Sequence, residues 1–156
     1  MATGPKKETQ TAIEIVGMRQ LLRALSKIPK DLQKDVRDAS QAIANDLASA
    51  GKNAAQTPLQ VLAATGLKAK RDRVPVVTSG RGAIRPGVRA TDIWYGAEFG
   101  GAQRPTTQQF PMHQGRRGYF FYPTARAHGN RYADEWADAV DKAFKEWDYR
   151  APTTGT

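Results

Sequence analysis

Residues 18–50 read MRQLLRALSKIPKDLQKDVRDASQAIANDLASA, and this stretch decides the fold. Leu21, Leu25, Ile28, Leu32, Val36, Ala39, Ile43, Leu47 and Ala50 recur at steps of three and four. That spacing lines side chains along one face of an α-helix. Pro29 sits inside the stripe. Proline is unfavourable in a helix interior but suited to its first turn. The pattern therefore predicts a short helix, Met18–Lys27, and a long one from Pro29 to Ala50 or somewhat beyond. The stripe stays in phase across the proline, so one kinked helix satisfies it as well. Such a face is first of all core packing; its other use is a helix–helix seam between subunits.

Upstream, Thr11–Val16 (TAIEIV) places Ile13 and Ile15 on one side of a short strand, ended by Gly17. Residues 1–10 are polar and read as a disordered tail. Downstream, Val74–Thr78 and Ala83–Arg89 read as two strands joined by the turn Ser79–Gly82. Pro75 and Pro86 limit their ladder pairing, so the expectation is a hairpin arm projecting from a sheet. Residues 102–118 read as a long loop. Gly129 is expected to break the chain and Asn130 to cap a new helix. Tyr132, Trp136, Val140, Phe144 and Trp147 form its apolar stripe, ending near Tyr149. The fold class predicted is α+β. A small, mostly antiparallel sheet packs on a long amphipathic helix, with a C-terminal amphipathic helix and long loop arms. One domain spans 11–149, followed by a flexible tail, 150–156.

Composition narrows the function. Leu, Ile, Val and Phe together make up about one residue in six of the 156, fewer than the roughly one in five typical of a well-stocked core. Three Trp, five Tyr and many alanines restore part of it. The expectation is a folded domain completed by an assembly. The absence of cysteine excludes disulfides, thiolate zinc sites and cysteine nucleophiles. No apolar run approaches the 18 residues of a membrane span, and the N-terminal residues do not resemble a secretory signal.

The net charge of +9 is unevenly distributed. Residues 61–131 carry twelve basic and three acidic side chains, whereas residues 132–156 carry three basic and six acidic. This asymmetry fits a polyanionic partner or a head-to-tail contact between copies. Two solvated faces that meet nothing are the plainer alternative. Lys68, Lys70, Arg71, Arg73, Arg81, Arg85 and Arg89 concentrate the positive charge in the expected arm. The aromatics suited to base stacking lie outside that cluster, and no zinc-finger or RNA-binding motif is present.

Little in the sequence points to catalysis. His113 and His128 have no local partner at metal-ligand or triad spacing. The basic middle offers Asp72, Asp92 and Glu98 as its carboxylates, and nothing local holds two of them together. Gly80, Gly82 and Gly87 do not fit the dinucleotide fingerprint, and no Walker sequence occurs. Neither a cofactor nor a metal site is expected.

Two short motifs carry a resemblance. They are Trp94-Tyr95-Gly96-Ala97-Glu98-Phe99-Gly100-Gly101 and Phe121-Tyr122-Pro123-Thr124-Ala125-Arg126. They stand in order behind a strand, a long helix and two β segments, and ahead of a terminal amphipathic helix. Over roughly residues 11–148 the chain resembles the tail-component family of tailed bacteriophages, called tail completion, neck or head–tail connector proteins. The resemblance implies a non-enzymatic virion protein with a tail-terminator-like fold, assembled in the host cytoplasm. Copies would form a ring, a hexamer or dodecamer, between head-closure or connector proteins and tail-terminator or tail-tube proteins. Genomic DNA would pass through it with nonspecific contact. Trp94, Tyr95, Glu98, Phe99, Gly100, Tyr122, Pro123, Ala125 and Arg126 are its motif residues, with structural roles. For Glu98, a turn-fixing or intersubunit hydrogen bond is preferred to chemistry. The aromatic run Tyr119–Tyr122 replaces an aliphatic cluster frequent in the family, and the loop 102–118 is longer. The basic arm would meet an acidic surface on a neighbour or line the DNA path. The alternative to a connector is a small basic protein that binds nucleic acid without sequence preference.

Overall fold

A computed structural model describes residues 17–79, 82–102 and 109–151. The expected strand at Thr11–Val16 and the expected tail 1–10 lie outside those residues. The fold is α+β, with antiparallel strands and a long helix followed by a C-terminal one. The helices are α1 (Met18–Leu25), α2 (Lys30–Ala54), α3 (Pro58–Ala64), α4 (Ala90–Phe99) and α5 (Phe121–Arg150). The strands are β1 (Leu67–Lys70), β2 (Val76–Ser79), β3 (Ala83–Arg85) and β4 (Val88–Arg89).

α2 and α5 form the frame. Arg150 pairs with Asp31 at 2.5 Å and Arg131 with Asp46 at 2.8 Å, so the two helices run antiparallel. The predicted stripe of α2 is its buried face: Leu32, Val36 and Ile43 pack against Tyr132, Trp136, Val140 and Ala143 of α5, joined by Leu25 and Ile28. Pro29 occupies the N-cap of α2, which separates it from α1 as two helices. A second core lies at the other end, where Ala48, Ala63, Ala64, Leu67, Ile93, Trp94, Ala97 and Phe120 meet.

Strand pairing differs from the expected hairpin. β2 pairs with β1, from Leu67 opposite Ser79 to Lys70 opposite Val76, and β3 pairs with β4. The Pro86-Gly87 dipeptide makes a turn of its own, with Gly87 at φ 76°. A proline–glycine pair suits a tight turn better than a strand interior. The basic stretch 68–89 is thereby divided between two hairpins. Leu67, Val77, Ile84 and Val88 of these hairpins belong to or pack against the second core.

The predicted break at Gly129 is absent, since α5 runs unbroken from Phe121 to Arg150. A helix-interior glycine costs only about 1 kcal/mol. Contacts at both ends outweigh that, with Phe121 packed against one core and Tyr132 to Ala143 buried in the other.

Candidate functional site

The two sequence motifs meet where α4 ends and α5 begins. α4 stops at Gly100, whose φ of 75° lies in the left-handed region. A Cβ there would run into the carbonyls of Pro111 and Met112. The chain then returns along the helix end. The Gly101 amide donates to the Pro111 carbonyl (2.9 Å), the Gln114 amide to the Phe99 carbonyl (3.3 Å) and the Tyr119 amide to the Glu98 carbonyl (2.7 Å). His113 Nδ1 donates to the Phe99 carbonyl at 3.0 Å, and the Tyr119 hydroxyl bonds the Met112 carbonyl. The free carbonyls of a helix C-terminus need partners of this kind.

Glu98 completes the junction. It is fully buried. Its Oε2 accepts the Phe121 amide and its Oε1 the Tyr122 amide, both at 2.9 Å. Phe120, at the N-cap of α5, supplies no side-chain cap. Pro123 has no N–H to satisfy, and the Thr124 amide already bonds the Phe120 carbonyl. Every amide donor in the first turn of α5 is thus accounted for, two of them by a carboxylate from another helix. A negative charge at a helix N-terminus also meets the positive end of the helix dipole. Gly118 (φ 75°) makes room, because a Cβ there would collide with Glu98 Oε1. Aromatic rings wall the site: Trp94 lies 5.4 Å from Phe120 and 5.6 Å from Phe121, and Phe99 lies 5.2 Å from Tyr122.

The arrangement is a clamp. Both Glu98 oxygens are occupied by backbone amides of a 30-residue helix. Trp94 is buried, Phe99, Pro123 and Ala125 are half-buried, and Tyr95 is exposed. Arg126 is exposed and donates to the Arg117 carbonyl. The motif residues therefore come together as one structural unit.

Compared with known proteins, the chain matches no family model, no curated protein and no solved structure.

Of the seven basic residues, the six that are described do not form one cluster. Arg71 is tied to Asp38 at 2.5 Å. The Arg73 guanidinium donates to the Leu22 carbonyl (3.1 Å), near the end of α1. The Arg73 carbonyl accepts the Ser40 hydroxyl (3.0 Å) and the Trp136 indole (2.9 Å). Arg73 thus joins α1, α2 and α5, which makes it a fold residue. Lys68 and Lys70 alternate with Leu67 and Ala69 on β1 and face solvent, as do Arg85 and Arg89 on the β3–β4 hairpin. Arg81 lies outside the described residues.

Further residues had no sequence signal. Asp46 receives the Tyr132 hydroxyl at 2.6 Å and Arg131 at 2.8 Å. The Tyr132 hydrogen bond, and then Arg131, hold its carboxyl below the usual range. Burial, reinforced by Asp46, pushes the Tyr132 phenol up. His128 lies beside Tyr132, with ring centroids 5.7 Å apart. Among the described residues, no three His, Cys, Asp or Glu side chains are placed to hold a metal ion.

Proposed function

We propose that this chain is a structural, non-enzymatic protomer of the neck of a tailed bacteriophage, working as a ring through which genomic DNA passes. The observation that carries the reading is the Glu98 clamp. The two motifs on which the family resemblance rests are adjacent in space, and their shared carboxylate holds a helix rather than facing a substrate cleft. A second support is the surface. Tyr95, Met112 and Tyr122 are 73%, 63% and 43% exposed, a cost in water that a neighbouring subunit removes. The opposite charge of residues 61–131 and 132–156 suits a heterologous contact, which closes into a ring when its rotation permits. The neighbours above and below are connector and tail proteins of the same particle. The experiment is quantitative mass spectrometry of purified particles. A neck protein is present at a fixed copy number per particle, and its absence from intact particles overturns the reading.

The second reading, nonspecific nucleic-acid binding, is favoured by the outward-facing Lys68, Lys70, Arg85 and Arg89. Four phosphate contacts would give a binding constant that falls with a log–log salt slope of about −3.6. A salt titration with free duplex DNA measures that slope directly.

A further inference from the structure

Aromatic residues stand apart from the basic cluster at 68–89 in the sequence, but folding brings other arginines to them. The rings of Tyr95 and Phe99 stack with centroids 6.4 Å apart, and Phe99 lies 5.2 Å from Tyr122. Tyr95 is 73% exposed and Tyr122 43%. The turn 114–118 wraps the end of α4 beside these rings. The Gln114 amide donates to the Phe99 carbonyl, and a Cβ at Gly118 would come within 3.0 Å of the Tyr122 Cβ. Arg116 and Arg117 are exposed on that turn. Arg126 stands one turn beyond Tyr122 on α5. It is exposed as well and donates to the Arg117 carbonyl. Guanidinium groups thus rim a cluster of exposed rings.

Little negative charge offsets this rim. Between Asp92 and Asp134 the sequence holds one acidic residue, Glu98. It is buried, with both oxygens on α5 amides. Asp92 lies a turn before Tyr95 and accepts the Arg89 amide at 2.7 Å. Among the described residues, Arg116, Arg117 and Arg126 form no salt bridge. A surface of this kind attracts a polyanion. Its rings and guanidinium planes also offer flat faces on which a planar group stacks. Phosphates joined to accessible bases satisfy both features, whereas an acidic protein surface satisfies the charge alone.

We propose that the Tyr95–Phe99–Tyr122 patch of the free chain binds single-stranded nucleic acid, with bases stacked on Tyr95 and Tyr122 and phosphates on Arg116, Arg117 and Arg126. Stacking of this kind is tolerant of sequence, because every base has a flat face. Bases inside a duplex stack on one another and are closed to the patch, so the strand is single. The site is distinct from the outward-facing Lys68, Lys70, Arg85 and Arg89 of the two hairpins, which can attract phosphates but bring no ring cluster with them. The inference goes beyond the ring reading and does not depend on it. The patch is open in the free chain, and a subunit that covers it in a ring displaces the strand.

The test is fluorescence anisotropy with the full chain and four labelled probes of about 12 nucleotides: oligo(dT), oligo(rU), an abasic strand and a mixed-sequence duplex. The wild type is expected to bind the strands that carry bases about 10-fold or more tightly than the abasic strand. Tyr95→Ser is expected to weaken that binding by about 5-fold or more, while its affinity for the duplex stays within about two-fold of wild type. Misfolding would lower both. Tyr95→Phe keeps the ring and is expected to bind the strands as the wild type does. Arg116→Gln with Arg117→Gln is expected to reduce the log–log salt slope for oligo(dT) by about 1.4, or about 0.7 per phosphate contact. The tighter of oligo(dT) and oligo(rU) identifies the strand as DNA or RNA. An abasic strand bound as tightly as oligo(dT) and oligo(rU), or Tyr95→Ser within about two-fold of wild type on both, overturns the proposal; the binding is then phosphate attraction alone. Failure of every probe to bind at about 50 mM salt also overturns it, and the patch is then a surface for a protein neighbour, which leaves the ring reading untouched.

Discussion

Replacing Glu98 with glutamine keeps the volume and removes the charge. One of the two oxygens becomes an NH₂ group that must face a backbone N–H, donor against donor. One charge-assisted bond, worth about 1.5–3 kcal/mol, is lost. The favourable contact with the dipole of α5, up to about 2 kcal/mol when partly buried, is lost with it. Burying an amide costs less than burying a carboxylate, which offsets part of the loss. The net expectation is a destabilisation of about 3 kcal/mol. In a chain of this size that lowers the melting temperature by roughly 6–12 °C. Urea denaturation followed by far-UV circular dichroism measures the free energy. Native-state hydrogen exchange locates it, with faster exchange expected at Phe121 and Tyr122 and little change at the buried face of α2. Glu98→Asp keeps the charge but is one methylene short, so it falls between wild type and glutamine. A Glu98→Gln variant within about 0.5 kcal/mol of wild type, with unchanged exchange at those amides, would refute the clamp.

Four other outcomes follow from the same contacts. Gly118→Ala strains a positive φ and collides with Glu98. It costs about 3 kcal/mol alone but only about 1 kcal/mol in a Glu98→Ala background, a coupling read by a double-mutant cycle. The Tyr132 phenol titrates higher in the folded state, so its contribution is complete below about pH 10 and is lost as pH rises through the raised value. Tyr132→Phe should therefore remove part of the alkaline fall in melting temperature. Trp136→Phe deletes the indole donor to the Arg73 carbonyl and lowers stability by about 1.5 kcal/mol in urea titrations. Gly129→Ala meets nothing within 4 Å and should stabilise α5 by about 1 kcal/mol; a loss of stability would mean that the helix is not continuous there.

The long-range frame was legible because it rests on periodicity. The stripe from Leu21 to Leu47 and the stripe from Tyr132 to Trp147 each name a buried face, and in the structure those faces meet. The strand pairing was less legible. Two of the four residues of β1, Lys68 and Lys70, also read as part of a basic surface cluster, and its alternation is too short to stand out. α3 did carry a local signature in Thr57-Pro58-Leu59-Gln60. The Thr57 hydroxyl and Gln60 side chain cap each other's amides there, a capping box with proline at the first helical position. Gly129 misled because local propensity favours a break, whereas α5 is held from both ends by tertiary packing. For Glu98, the sequence supported a structural carboxylate over a catalytic one. Its partners, the amides of Phe121 and Tyr122, lie 23 and 24 residues away, and no local pattern encodes that meeting. Arg71 and Arg73 look like their basic neighbours in the sequence. Only packing separates them, by turning both onto the helical frame.

The measurement that bears most directly on the neck-ring reading is a cryo-EM reconstruction of the head–tail junction of particles from the source of this chain. A neck protomer gives a ring whose density accepts the antiparallel α2–α5 pair in every subunit, with Tyr95 and Tyr122 at the boundary between neighbours. A junction resolved to side chains, in which every density is occupied by other proteins, would contradict the reading.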